Sequence, residues 1–182
     1  GGIPLENGID APERLVASLG PEAVMGGVAQ ISASITAPGV IHQVGTFMRM
    51  IFGELNGKRS RRGEDFLALC LKAGFEATLS DQILTDLWMK FILLASNAGM
   101  MALSRQPLGK LRDDPDMEPI FRAAYQEIID VGRARGIALP AAALARVRGP
   151  TKPFPPTLEA SRALALRRAH PVIWQGTRST LH

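Results

Sequence analysis

One cysteine, Cys70, stands in 182 residues. That excludes an internal disulfide framework and any multi-cysteine zinc site, and it suits a reducing cytoplasm. Aromatic residues make up only 5% of the chain, with a single Tyr. The stacking platforms and folded basic motifs of nucleic-acid binders are missing, so no nucleic-acid partner is expected. No uninterrupted apolar run approaches the ~20 residues of a membrane-spanning helix, so no membrane partner is expected either. The opening Gly1-Gly2-Ile3-Pro4 has neither the basic nor the long apolar region of a signal peptide, and the expected location is cytoplasmic. What is present in quantity is apolar material: 46% hydrophobic against 21% charged residues, enough for one good core or two small ones.

Charge is unevenly placed. Residues 141–182 carry seven basic side chains against one acid, Glu159, whereas the first 140 carry 14 basic and 16 acidic ones. The net charge of +4 therefore belongs to the tail.

Along the chain, Pro12 suits a first helical turn and Gly20 a stop, which predicts a helix over Ala11 to Leu19 after an extended Ile3 to Leu5 and an Asn7-Gly8 turn. Short apolar runs at 23–28, 31–35, 40–44 and 48–52, split by glycines and by Pro38-Gly39, predict strands in a meander or hairpin. Asn56 to Glu64 reads as a solvated connection, Asp65 to Ala73 as a helix stopped by Gly74, and Phe75 to Leu79 as a short extended piece. From Ser80 the period changes. Ile83, Leu84, Leu87, Phe91, Leu94 and Met101 recur at helical spacing over about 81–104 behind the capping pair Ser80-Asp81. A further helix opens at Asp113 to Asp116 and ends at Gly136, with Met117, Ile120, Phe121, Ala124, Ile128 and Val131 as its apolar stripe. Gly149 to Pro156 is a stiff linker, followed by a weak helix and an irregular basic end.

Lys90 carries the most chemical information. It lies mid-helix in Leu87-Trp88-Met89-Lys90-Phe91-Ile92-Leu93-Leu94. Burying a lysine costs several kcal/mol or forces its pKa down, so a helix keeps one among apolar neighbours for a reason. Asn97 returns to within about 20° of the same face, and an ammonium and an amide so placed can both address a carbonyl or carboxylate. The alternative is that Lys90 snorkels from a helix edge to water and Asn97 caps or bends the helix. Asn7 follows an extended stretch, where it is either an ordinary turn residue or an amide at a strand's carboxyl end. Gly26-Gly27 lacks the G-x-G-x-x-G spacing of a phosphate loop.

Read in order, several segments resemble the ketopantoate reductase (2-dehydropantoate 2-reductase) family. They are Leu5-Glu6-Asn7-Gly8-Ile9, Gly26-Gly27-Val28, Pro38 to His42, Phe52-Gly53-Glu54, Leu87 to Phe91, Ala102 to Arg105, Pro107 to Arg112 and Glu127 to Pro140. The Trp-x-Lys-Phe segment followed by Pro-x-Gly-x-Leu-Arg is the most specific.

The resemblance implies an α/β remnant plus an all-α part. The end of a Rossmann-type domain would occupy residues 1–57, a connection 58–79, and a helical substrate and dimerisation domain, of the 6-phosphogluconate dehydrogenase C-terminal type, 80–182. It implies an oxidoreductase that reduces 2-dehydropantoate to pantoate with NADPH, in pantothenate biosynthesis. Lys90 would donate the proton, Asn7 would meet cofactor and substrate, Ala33 would line the nicotinamide site, and Ser161 would bind the substrate carboxylate.

The departures are equally specific. The Gly-rich nucleotide fingerprint does not occur, so the chain reads as a C-terminal piece whose own activity is weak or absent. Two positions where some members have substrate asparagines hold Leu94 and Ala98, with Asn97 one residue short. After Ser161 the pattern stops, which reads as a frame change or truncation. Rival readings are a helical oligomerisation module with a structural Lys90, and a reductase of another 2-keto acid. A possible homodimer through the helical domain is expected in either case.

Overall fold

A computed structural model describes residues 1–148. Ser161 and the basic tail lie outside these residues. The described elements are α1 (Ala11–Leu19), a 3₁₀ turn, β1 (Met25–Ala37), β2 (Val40–Glu54), α2 (Arg61–Lys72), β3 (Glu76–Leu79), α3 (Ile83–Ser104), α4 (Leu108–Asp113), α5 (Met117–Ala134) and α6 (Ala143–Arg148). The sheet has the order β1-β2-β3, antiparallel between β1 and β2 and parallel between β2 and β3.

The four apolar runs form two long strands, because each Gly-interrupted pair continues in one ladder from Met25↔Glu54 to Ala37↔Val40. Pro38 and Gly39, the latter at φ 76°, make the turn. Between Ile31 and Ala33 the partner jumps from Met48 to Gln43, a bulge that absorbs the extra residues of β2. Ile3 to Leu5 is not a strand; one parallel bridge, Gly2↔Val24, ties this end to the sheet.

The two sheet faces are covered separately. On one, Met25, Phe52, Cys70 and Leu79 pack under α2, with the Phe52 and Phe66 rings edge to face at 4.9 Å. On the other, Val28 meets Ile83 and Leu87 of α3. The facing glycines Gly26 and Gly53 make that approach possible. A Cβ on Gly26 would stand 2.8 Å from Ile83 Cγ1, and one on Gly53 would collide with the Ser80 carbonyl.

The start of α2 lies four residues earlier than the sequence suggests. Ser60 caps it, its Oγ accepting from Gly63 N–H at 3.1 Å, and the charged run 58–62 conceals that cap. The Pro-x-Gly-x-Leu-Arg segment contains a short helix, α4, which buries Leu108 and Leu111.

The buried row of α5 is Phe121, Tyr125, Ile129 and Gly132, displaced from the expected stripe; Ile120 and Val131 are 47% and 56% exposed. Gly132 sets this rotation, since a Cβ there would stand 2.8 Å from Leu139 and 2.9 Å from the Trp88 ring. Helix α3 is long and apolar enough, by length and composition, to cross a membrane, although Asp86 and Lys90 interrupt its apolar run. Here it serves as the central helix, shared between the sheet and the α4–α6 layer.

Candidate functional site

Helix α3 places its polar side chains unequally. Lys90 is half-buried, between buried Leu87 and Trp88 and half-buried Phe91 and Leu94. Among the described residues it has neither a hydrogen bond nor an ion pair. Loss of hydration lowers the affinity of its amine for a proton below the usual lysine value. An ammonium in this setting is poised to donate to an oxygen that gains negative charge.

Asn97 is buried, and its Oδ1 accepts from Tyr125 Oη at 2.6 Å across the α3–α5 interface. That bond gives the amide a structural task and favours the packing reading of Asn97. Beside it, Ser96 Oγ is buried without a hydrogen-bond partner among the described residues. Tyr125 was not legible as a partner from spacing; the Ser96-Asn97 pair inside an apolar helix was the available clue.

Asn7 is exposed in the bend before α1, and Ala33 is exposed on the outer part of β1, opposite Gln43. Neither shares a hydrogen bond with Lys90 or Asn97 among the described residues. Lys90 and Asn97 share one helix, whereas Asn7 lies in the bend before α1 and Ala33 on β1.

A different polar cluster closes the sheet end. Glu54, 8% exposed, accepts from Arg62 Nε at 2.7 Å and from Ser60 Oγ at 2.5 Å. Arg62 also donates to the carbonyls of Glu22 and Val24. The Arg62 hydrogen bond holds the Glu54 carboxyl below its usual pKa, against the opposing effect of burial. This cluster joins β1, β2 and α2 and leaves no oxygen-seeking group unsatisfied, so it is structural. Cys70 is buried and its thiol pKa is raised by burial, which makes it a core residue. No cluster of metal-ligating side chains occurs among the described residues.

By fold, a small sheet joined through α3 to a helical layer is consistent with the end of a Rossmann-type domain followed by a helical one. Residues 82–161, which begin just before α3 and contain Lys90, match the family model for the ketopantoate reductase PanE/ApbA C terminal. That part of the chain carries the family's C-terminal domain, and the chain resembles ketopantoate reductases over most of its length.

It is 30% identical over 135 residues to the uncharacterized oxidoreductase YkpB of Bacillus subtilis, covering 74% of this chain and 45% of that protein. It is 28% identical over 152 residues to a 2-dehydropantoate 2-reductase of Mesorhizobium japonicum, covering 81% of this chain and 46% of that one. The crystal structure of 2-dehydropantoate 2-reductase from Porphyromonas gingivalis superposes with a TM-score of 0.77 at 25% identity, over 91% of this chain and 57% of the other. The chain thus spans about half the length of the curated relatives it matches.

Proposed function

We propose that this chain holds and protonates the substrate in the reduction of a 2-keto acid, with NADPH as the reductant that the resemblance implies; the relative from Mesorhizobium japonicum is named a 2-dehydropantoate 2-reductase. The observation that carries the reading is Lys90, a half-buried ammonium without a partner among the described residues on the helix shared by both layers. Its N–H donates to the keto oxygen and polarises the carbonyl. As C2 is reduced, the oxygen takes the Lys90 proton, and the neutral amine regains one from solvent. The lowered pKa of Lys90, caused by its lost hydration, favours that transfer.

A nicotinamide would supply the hydride. The described residues do not themselves fit its dinucleotide phosphates. Gly26 is closed by Ile83, and Gly27 by Ile3, Pro4 and Leu5, which leaves no glycine cradle on the sheet. The reading therefore assigns this chain the proton and substrate contacts, with Ser161 as a carboxylate contact from the resemblance. Calorimetric titration with 2-dehydropantoate tests it: saturable binding abolished by Lys90→Ala is expected, and binding untouched by that change would sink the reading.

A second reading concerns assembly. Ile120 and Val131 form an outward apolar row on α5, which supports a homodimer through the helical layer. Sedimentation of Val131→Glu against the unaltered chain tests it, and a monomer in both would count against it.

A further inference from the structure

Strand β1 is an edge of the sheet. Its start is tied down by the Gly2↔Val24 bridge and by Ile3 to Leu5 lying against Gly27, and beyond these no strand among the described residues pairs with its outer side. An edge strand presents a row of backbone N–H and C=O groups to any strand that arrives, and native edges are commonly protected by charged side chains or proline. Across Met25–Ala37, β1 has neither. Successive side chains face opposite sides of a sheet, and in the outer half of β1 the apolar side is the more open one. Ile31 and Ile35 are 49% and 71% exposed, whereas Gln30, Ser32 and Ser34 are half-buried. Met48 and Ile41, the exposed cross-strand partners of these two isoleucines, widen the apolar row over the hairpin.

This half of the strand also reads alike in both directions. Ile31-Ser32-Ala33-Ser34-Ile35 is a palindrome about Ala33, and it is flanked by the uncharged polar pair Gln30 and Thr36. The ladder with β2 becomes irregular between Ile35 and Ala37, where the symmetric run ends. A two-fold axis through Ala33 therefore sets two such edges antiparallel with like against like: Ile31 beside the partner's Ile35, Ser32 beside the partner's Ser34, and Gln30 beside the partner's Thr36. No charge on either edge opposes the approach.

We propose that the outer half of β1 is a self-complementary docking edge that joins a second copy of this chain, extending the sheet across a two-fold axis at Ala33. The palindrome singles out a second copy over an unrelated strand, because only a two-fold seam sets each residue against its own mirror position. The seam is short. From Gln30 to Thr36 it is about 24 Å long, and a single sheet about 10 Å thick covers roughly a few hundred Å² per partner there, below the about 800 Å² of a stable interface. The dimer is thus weak and reversible, and it is separate from the α5 row of Ile120 and Val131.

Sedimentation velocity of the full chain carrying Val131→Glu, which sets the α5 row aside, tests the proposal from micromolar to millimolar concentration. The same background then carries Ala33→Lys or Ala33→Glu, at a position exposed enough to accept either charge, with folding checked by circular dichroism. A concentration-dependent dimer is expected with Ala33 intact. Like charges meeting across the axis should weaken it about fivefold in each variant alone, and an equimolar mixture of the two variants should restore it. The restoration is specific to a register that puts position 33 opposite itself. A monomer at every concentration, growth beyond a dimer, a dimer unmoved by Ala33→Lys, or a mixture as weak as its components overturns the proposal.

Discussion

Glu54 and Lys90 show two ways in which this protein withdraws a charge from water. At the sheet end, Glu54 is surrounded by donors: Arg62 and Ser60 reach it directly, and Arg62 is in turn fixed by two backbone carbonyls. In α3, Lys90 sits among hydrocarbon, with no partner among the described residues, and its pKa is lowered by lost hydration alone. Polar groups that maintain a fold are satisfied within it, because an unsatisfied one costs stability. A cation left unsatisfied at a half-buried position is available for an anion or a carbonyl from outside. The contrast sets a charge satisfied inside the fold against one left without a partner among the described residues.

Replacing each charge breaks the comparison most directly. Lys90→Ala should lower keto-acid turnover, measured in a competent full-length relative carrying this segment, by roughly 10²- to 10⁴-fold. The same change should leave denaturant stability level or raise it by about 1 kcal/mol, since it removes a desolvated charge. A clear loss of stability would place Lys90 with Glu54 among the structural charges. Glu54→Ala should do the reverse, costing about 2 kcal/mol in urea unfolding while leaving keto-acid affinity unchanged. The cost stays below that of a fully buried pair because the Arg62 side chain is 39% exposed.

pH sharpens the same distinction. The Glu54 carboxyl has a lower pKa folded than unfolded, so its contribution is complete above the ordinary carboxyl value of 4.5 and is lost as pH falls from there through the folded pKa. Acid unfolding curves of Glu54→Gln should lack that portion of the pH dependence. Lys90 acts at the other end. Its folded pKa is below the unfolded value, so stability rises as pH climbs through the folded pKa towards 10.5. Lys90→Met should flatten that alkaline rise.

Smaller effects belong to the inner helical layer. Tyr125→Phe should cost about 1 kcal/mol, because it strips Asn97 of its donor. Ser96→Ala should be neutral or stabilising by less than about 1 kcal/mol, since it removes an orphaned hydroxyl. Thermal unfolding resolves both.

Local chemistry that has one solution was legible in the sequence. Pro12 and Gly20 bound α1, Pro38-Gly39 turns the hairpin, and Gly136 at φ 77° follows α5. Lys90 also stood out, as a cation among large apolar residues in that helix segment. What escaped was decided by partners distant in sequence. Two adjacent apolar rows run along α5, and Gly132 selects the buried one by admitting Trp88. Asn97 looked available until Tyr125, 28 residues away, claimed its oxygen.

The glycine pair at the sheet also acts at a distance. Gly26 and Gly53 let the first turn of α3 rest against the strands at Ile83, and Lys90 lies seven residues further along that rod. At 1.5 Å per residue the Lys90 backbone is about 10 Å along the helix from that anchor. A methyl group added at Gly26 would act as a shim beneath the rod, displacing or tilting α3 and carrying the lysine with it. The position of the Lys90 side chain is thus calibrated at two residues that have no side chain.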